Sequence, residues 1–342
     1  MVDSKPLSIG QVAYVLGMNS KKLQRWYQHV LSGFTQAIEN KEIGKDDLLV
    51  VEEGKLTEIS VPILKEENIG SQMAVDEKTI NGTCYTVLSN RENGKIALMA
   101  ATLKTKYLMK LMGKIDIGKR MKVKSLSRDM ALHYDWFGRQ AFMNSYHVID
   151  KFHVIKSIME QLQATRIRYR QEELTRRREA HKNKQNYSEI TLDNGDTILQ
   201  LLARSRGLLF LMSHSWTDQQ RHRAKILFNT FPQIKVVYQL VNQIRKWFKP
   251  PQGKITYQVT KDKKRQKLIA LIKEFNKTGI AELKNIAFML KRNLPNILNY
   301  FIAKETNAKA EALNQNLQRF INVNYGTRNI KFFLFRVKIH FA

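Results

Sequence analysis

Three acids in a strongly basic chain have the chemistry to hold divalent metal ions. Asp76 closes the apolar run Met73-Ala74-Val75, and Asp129 follows a second strand-like stretch at residues 121–127. Glu311 lies in residues 307–321, where Leu313, Leu317, Phe320 and Ile321 recur at helical spacing and predict a buried stripe. Glu311, Asn314 and Gln318, at i, i+3 and i+7, share a second, polar face of that helix. Carboxylates at strand ends can converge with one from a packing helix, and such oxygens suit hard cations like Mg²⁺. Two ions about 4 Å apart activate a water or a 3′-OH and stabilise the leaving oxygen of a phosphodiester. By spacing alone, a chain with 30 acidic residues offers many such triples. A solvated surface explains the polar helix face equally well.

The elements that would position these acids follow from local pattern. Met73–Lys78, Thr83–Ser89 and Lys95–Thr102 are runs of strand formers separated by Asn81-Gly82 and by residues 90–94, which predicts three antiparallel strands. A helix at residues 104–112, a strand at 121–127, a helix at 131–143 and a strand at 145–152 continue an α/β layer. Beyond His153 the chain reads as helical for about 150 residues, with helices at 197–211, 218–229, 234–248 and 266–277. Residues 166–184 form a charge block that contains Arg176, Arg177 and Arg178. Its excess of positive charge favours tracking of phosphates, although such runs are usually solvated helix faces. A final apolar segment spans residues 330–341.

Near the N-terminus, residues 7–29 read as a helix-turn-helix. Ile9, Val12, Ala13, Val15 and Leu16 form an apolar stripe, Gly17 supplies the turn, and Asn19 or Ser20 caps a second helix with Leu23 and Trp26 inward. Lys21, Lys22, Gln24, Arg25 and Gln28 then face outward and suit phosphates and base edges. A plain helical hairpin has the same spacing.

Composition narrows the class. The 342 residues include 58 Lys and Arg against 30 Asp and Glu, a net charge of +28 that implies a polyanionic partner. Nucleic acid leads, because neutralised phosphates release condensed counterions. No apolar run reaches the roughly 18 residues needed to cross a bilayer, and no signal-peptide pattern opens the sequence, so no membrane role is expected. Cys84 is the only cysteine, which excludes internal disulfides and paired-cysteine zinc fingers and suits a reducing cytosol.

Four ordered blocks resemble those of bacterial insertion-sequence transposases with an Asp-Asp-Glu triad, in the branch written ISL-three and close to the ISAon type. Glu67-Asn-Ile-Gly-Ser-Gln-Met-Ala-Val-Asp-Glu-Lys78 resembles the block of the first aspartate, and Ser127-Arg-Asp-Met-Ala131 that of the second. Val148-Ile-Asp-Lys-Phe-His-Val154 resembles the Asp-x-x-His block that follows. Asn307-Ala-Lys-Ala-Glu-Ala-Leu-Asn314, with Tyr325-Gly-Thr-Arg-Asn329, resembles the block of the glutamate. Residues 195–206 and Trp216-Thr-Asp-Gln are similar to the helical insertion of that family, so the resemblance runs from about residue 7 onward.

The resemblance implies an α/β fold with an RNase H-like core, a large all-α insertion and an N-terminal helix-turn-helix. The implied division is residues 1–34 for DNA binding, 35–70 as connector, 71–154 as the first part of the core, 155–303 as insertion and 304–342 as its C-terminal part. Asp76, Asp129 and Glu311 take the triad positions, separated by 53 (129 − 76) and 182 (311 − 129) residues. They would hold two Mg²⁺ or Mn²⁺ ions. Glu77 should point to the opposite sheet face by strand alternation. Asp150, His153 and Asn314 become accessory candidates, although a strand-end Asp and a locally packed His explain the first two as well. Trp216 becomes a candidate for stacking on a flipped base, against the commoner role of a core tryptophan. Arg128 departs from the small or apolar residue more usual beside the second aspartate.

The expected function is transposition of an insertion sequence in the cytoplasm, at the nucleoid. The enzyme would bind terminal inverted repeats and cut and join double-stranded DNA as a homodimer or larger synaptic assembly, with no small-molecule substrate. A junction resolvase with the same metal chemistry and a non-catalytic repressor derived from a decayed transposase are the rival readings.

Overall fold

The computed structural model describes residues 7–184, 187–249, 257–301, 308–324 and 329–342; of residues 257–260 and 308–311 it describes the backbone alone. The chain divides into two units, Met1–Val148 with Ala303–Ala342, and Ile149–Ile302.

The first unit begins with short helices. Ser8 and Gln11 form a reciprocal capping box on α1 (Ile9–Val15). Gly17, with φ +61°, turns the chain, and the Asn19 side chain accepts from the Lys22 amide to start α2 (Ser20–Trp26). A wider π-type turn over Tyr27–Leu31 leads to α3 (Phe34–Glu39). The expected apolar stripe is only half realised. Ile9, Val12, Ala13 and Leu23 are buried, whereas Val15, Leu16 and Trp26 are exposed. Tyr27, four residues after Leu23, takes the inward place expected for Trp26, three residues after it.

Next come a hairpin, β1 (Leu48–Glu52) and β2 (Lys55–Ile59), and the short β3 (Ile63–Leu64). β3 pairs with a later strand, so the expected connector contributes an edge to the main sheet. That sheet continues with β4 (Gln72–Ile80), β5 (Thr83–Asn90) and β6 (Ile96–Ala100), all antiparallel as their turns require. Asn81 and Gly82 both take positive φ, the conformation of a tight two-residue hairpin turn. Helices α4 (Thr105–Met112) and α5 (Ile117–Met121) precede β7 (Ser125–Arg128), which runs parallel to β4; α6 (Leu132–Ala141) and β8 (Tyr146–Ile149) follow. The strand order is β3-β6-β5-β4-β7-β8.

The second unit is helical: α7 (Lys151–Lys182), α8 (Ile198–Arg204), α9 (Arg206–Phe210), α10 (Asp218–Thr230), α11 (Pro232–Trp247), α12 (Tyr257–Lys277) and α13 (Ala281–Leu298). Among the described residues no helix is long and apolar enough to cross a membrane. The chain then returns to the first unit with α14 (Ala308–Val323) and α15 (Ile330–Phe341).

Each sheet face has its own core. Met73, Val75, Leu88 and Leu126 pack with Tyr107, Leu108 and Leu111 of α4 and with Tyr134 and Phe137 of α6. On the other face Tyr85, Val87 and Met99 pack with Leu313, Leu317 and Phe320 of α14 and Phe333 and Val337 of α15. The Phe332 ring turns the opposite way, 6.0 Å from Tyr27 and 5.1 Å from Phe34, and so joins the N-terminal helices to α15.

Gly138 lets α6 lie close on the sheet. A Cβ there would come within 2.5 Å of the Leu126 side chain and 2.7 Å of the His147 ring. Gly138→Ala is therefore expected to destabilise the first unit by about 1–3 kcal/mol through overpacking. A drop in the thermal midpoint measured by circular dichroism checks this; an unchanged midpoint would count against the close packing of α6.

Candidate active site

β4 and β7 determine where the first two acids stand. Their parallel register pairs Gln72 with Ser125, Met73 with Leu126 and Ala74 with Ser127. Two residues further along the same register, Asp76 falls level with Asp129, which directly follows β7. Neighbouring strands lie about 4.8 Å apart, so the two carboxylates start from adjacent backbone positions. Their faces follow from side-chain alternation. Met73 and Val75 enter the core under α4 and α6, so Asp76 points to the other face, where α14 packs.

Contacts agree with that placement. The Asn314 amide of α14 donates to Asp76 Oδ2 at 3.1 Å, and Lys78 Nζ stands 3.3 Å from the same oxygen. Asp76 Oδ1 accepts from the Glu77 amide. Asp129 Oδ1 accepts from the Ala131 amide at 2.8 Å and thereby shapes the turn into α6. Glu77 faces away, as alternation requires, with Oε1 3.4 Å from His133 Nε2 of α6. Glu311 lies on α14 one helical turn before Asn314, but its side chain is outside the described residues, as are Tyr325–Arg328 of the glutamate block. Among the described residues no three acidic, imidazole or thiol groups gather around one point. The donors that are described, two carboxylates and a carboxamide oxygen, are hard ligands of the kind Mg²⁺ and Mn²⁺ take. The ammonium on Asp76 marks the position as one that attracts a cation.

Behind Asp129 stands a buried polar cluster. Arg128, 2% exposed, donates to the Asp129 carbonyl at 2.8 Å and to His147 Nδ1 at 3.2 Å, and it is paired with Asp135. Arg139 also binds Asp135, at 2.9 Å. The unusual residue beside the second aspartate thus ties β7, β8 and α6 together. Burial raises the Asp135 carboxyl, but its hydrogen bond with Arg139 and the Arg128 charge outweigh that and hold it below the usual carboxylate range. Burial, then the neighbouring Arg128 charge, pushes the His147 imidazole below its ordinary value.

The remaining sequence candidates lie elsewhere. Lys21, Lys22, Gln24 and Arg25 are exposed on α2, and Lys21, Lys22 and Arg25 line a cavity of about 730 Å³ with Met18, Asn19 and Trp26. Arg176, Arg177 and Arg178 are exposed near the end of α7; Arg176 pairs with Glu173 and Arg177 with Glu189. Asp150 caps α7 through the Phe152 amide, and the His153 ring meets the Phe152 ring edge-on at 5.6 Å. Trp216 donates its indole N–H to the Leu208 carbonyl at 2.9 Å and stacks on Tyr238 at 5.4 Å. Its ring is partly exposed. Lys78, which is not among the site candidates drawn from the sequence, lies on the Asp76 face by strand alternation.

Sheet and covering helices define a mixed α/β protein in which the neighbouring strands β4 and β7 bring Asp76 and Asp129 level. The family model described as Transposase, of the ISL3 type with the Asp-Asp-Glu signature, matches residues 73–337. The chain belongs to that family of insertion-sequence DDE transposases. No curated protein and no solved structure matches it.

His147 gives a pH test of the cluster. Its folded-state pKa is depressed, so below the unfolded value near 6.5 the unfolded chain takes the proton first and stability falls with pH. His147→Gln removes that linkage. The variant is expected to lose less stability than the wild type between pH 7 and pH 5, measured as thermal midpoints in matched buffers. Parallel pH profiles for the two proteins would refute the assignment.

Proposed function

We propose that the protein binds the ends of an insertion sequence and cuts and joins DNA there by two-metal-ion chemistry. The observation that carries this reading is the β4–β7 register, which sets Asp76 level with Asp129 on the sheet side of α14. In this reading Asp76, Asp129 and Glu311 hold two Mg²⁺ or Mn²⁺ ions. Asn314 orients the Asp76 carboxylate by its hydrogen bond. The ions would supply an activated water or 3′-OH and charge for the leaving oxygen.

The sheet supports an RNase H-like core. Three antiparallel strands (β6-β5-β4), then β7 parallel to β4 and β8 beyond it, give the order expected of such a core, with β3 added at one edge. The helical unit would be its insertion, lying before α14. The N-terminal helices would act as a helix-turn-helix, with Lys21, Lys22, Gln24 and Arg25 on DNA. Arg176, Arg177 and Arg178 would track the backbone, and Trp216 would stack on a displaced base through its exposed edge. Asp150 and His153 are the accessory candidates. The net charge of +28 supplies the attraction to double-stranded DNA. A homodimer or larger synaptic assembly acting at the nucleoid would pair two element ends before joining.

Purified protein with Mg²⁺ is expected to nick duplexes that carry the sequences flanking its gene, and to join a pre-cut 3′-end to plasmid DNA. Asp76→Asn and Glu311→Gln should each lower nicking by about 10³-fold or more, since each removes an interaction worth several kcal/mol at the reacting phosphate. Nicking without joining would favour a resolvase. Full activity in Glu311→Gln would overturn the triad.

A further inference from the structure

Lys78 has an arrangement that a surface lysine lacks. It follows Asp76 by two residues on the same strand, so alternation puts both side chains on the face that α14 covers. Opposite Lys78 in the antiparallel ladder is Tyr85, which belongs to the core formed with Leu313 and Leu317 of α14. The Lys78 side chain is only 15% exposed. Lysine ordinarily lays its stem on apolar surface and keeps its head in water. Here the ammonium turns to Asp76 Oδ2, at 3.3 Å, and among the described residues Asp76 is the acid within ion-pair distance of it.

A divalent ion held by either oxygen of that carboxylate would stand beside the ammonium. Asp76 Oδ1 already accepts from the Glu77 amide, and Oδ2 receives Lys78 and Asn314 together. An ammonium and a metal ion cannot share one carboxylate without strong like-charge repulsion in a half-buried site. The amide of Asn314 is neutral and can stay; the ammonium must leave. Its flexible four-carbon stem and compact charge let it swing to another anion nearby, and lysine binds phosphate as such a point charge.

We propose that Lys78 exchanges partners during the reaction cycle. It neutralises Asp76 before the divalent ion arrives and then grips a non-bridging oxygen of a DNA phosphate beside the reacting one. This rests on the reading of Asp76 as a metal ligand. The exchange lets the site fold without an unpaired carboxylate and couples ion loading to DNA grip.

The test uses the full chain and two readouts other than turnover. Mn²⁺ binding is followed by loss of the free-ion paramagnetic resonance signal, in wild type, Lys78→Gln, Lys78→Arg and Asp76→Asn. Lys78→Gln removes the competing cation and is expected to bind Mn²⁺ about fivefold to tenfold more tightly, whereas Lys78→Arg stays near wild type. Binding of a short random-sequence duplex is then measured in Ca²⁺. Lys78→Gln should bind it about threefold to tenfold more weakly, with a salt slope shallower by about one, and Lys78→Arg should keep both. Mn²⁺ affinity unchanged or reduced in Lys78→Gln, with Asp76→Asn losing the ion, would leave the metal site standing and overturn the exchange. Tighter Mn²⁺ with unchanged duplex affinity and slope would overturn the phosphate contact. Equal Mn²⁺ binding by wild type and Asp76→Asn would refute the metal-ligand reading, and the exchange with it.

Discussion

Parallel pairing between β4 and β7 is the constraint on which the candidate site depends. The strands lie side by side because Met73, Val75 and Leu126 share one core under α4 and α6. A slip of one residue would turn those apolar side chains out and Asp76 inward, so burial on one face fixes the polar positions on the other. Asp76 and Asp129 thus come level without any direct attraction between them, which two carboxylates could not supply. Asn314 and Lys78 offset the negative charge of Asp76.

The second constraint is α15. It presents Phe333 and Val337 to the sheet-side core and Phe332 to the N-terminal helices. Arg336, 3% exposed, reinforces this double role: it donates to Asn324 and to the Leu7 carbonyl and lies over the rings of Tyr27 and Phe320. The N-terminal helices are therefore anchored on the sheet unit rather than tethered to it by a loose linker. Their orientation relative to the sheet is thereby fixed, a coupling that a flexible connector would weaken.

Charge is divided by position. Exposed cations lie on α2 and at the end of α7, while the buried Arg128 holds the Asp129 carbonyl and Asp135. Buried arginines are expensive to desolvate and persist where their hydrogen bonds are satisfied. Here those bonds reach three elements that meet behind the second aspartate.

Features with local causes were legible in the sequence. Turn residues such as Asn81-Gly82 fixed the hairpin, alternation placed Glu77 away from Asp76, and helical spacing picked out Leu313, Leu317, Phe320 and Ile321 as the buried stripe of α14. Resemblance to the family singled out Asp76, Asp129 and Glu311, of which the strand register brings the first two level. Tertiary structure alone decided the rest. Trp26 and Tyr27 stand at i+3 and i+4 from Leu23, and only the packing of the N-terminal helices decided that Tyr27 is buried and Trp26 exposed. β3 joins the sheet through a partner more than thirty residues away (99 − 63), too short a segment to stand out by pattern. Arg128 takes its role from groups brought to it only by folding, Asp135 and His147. Periodicity records which face a residue occupies, but which distant side chain waits there depends on the packing of the whole sheet.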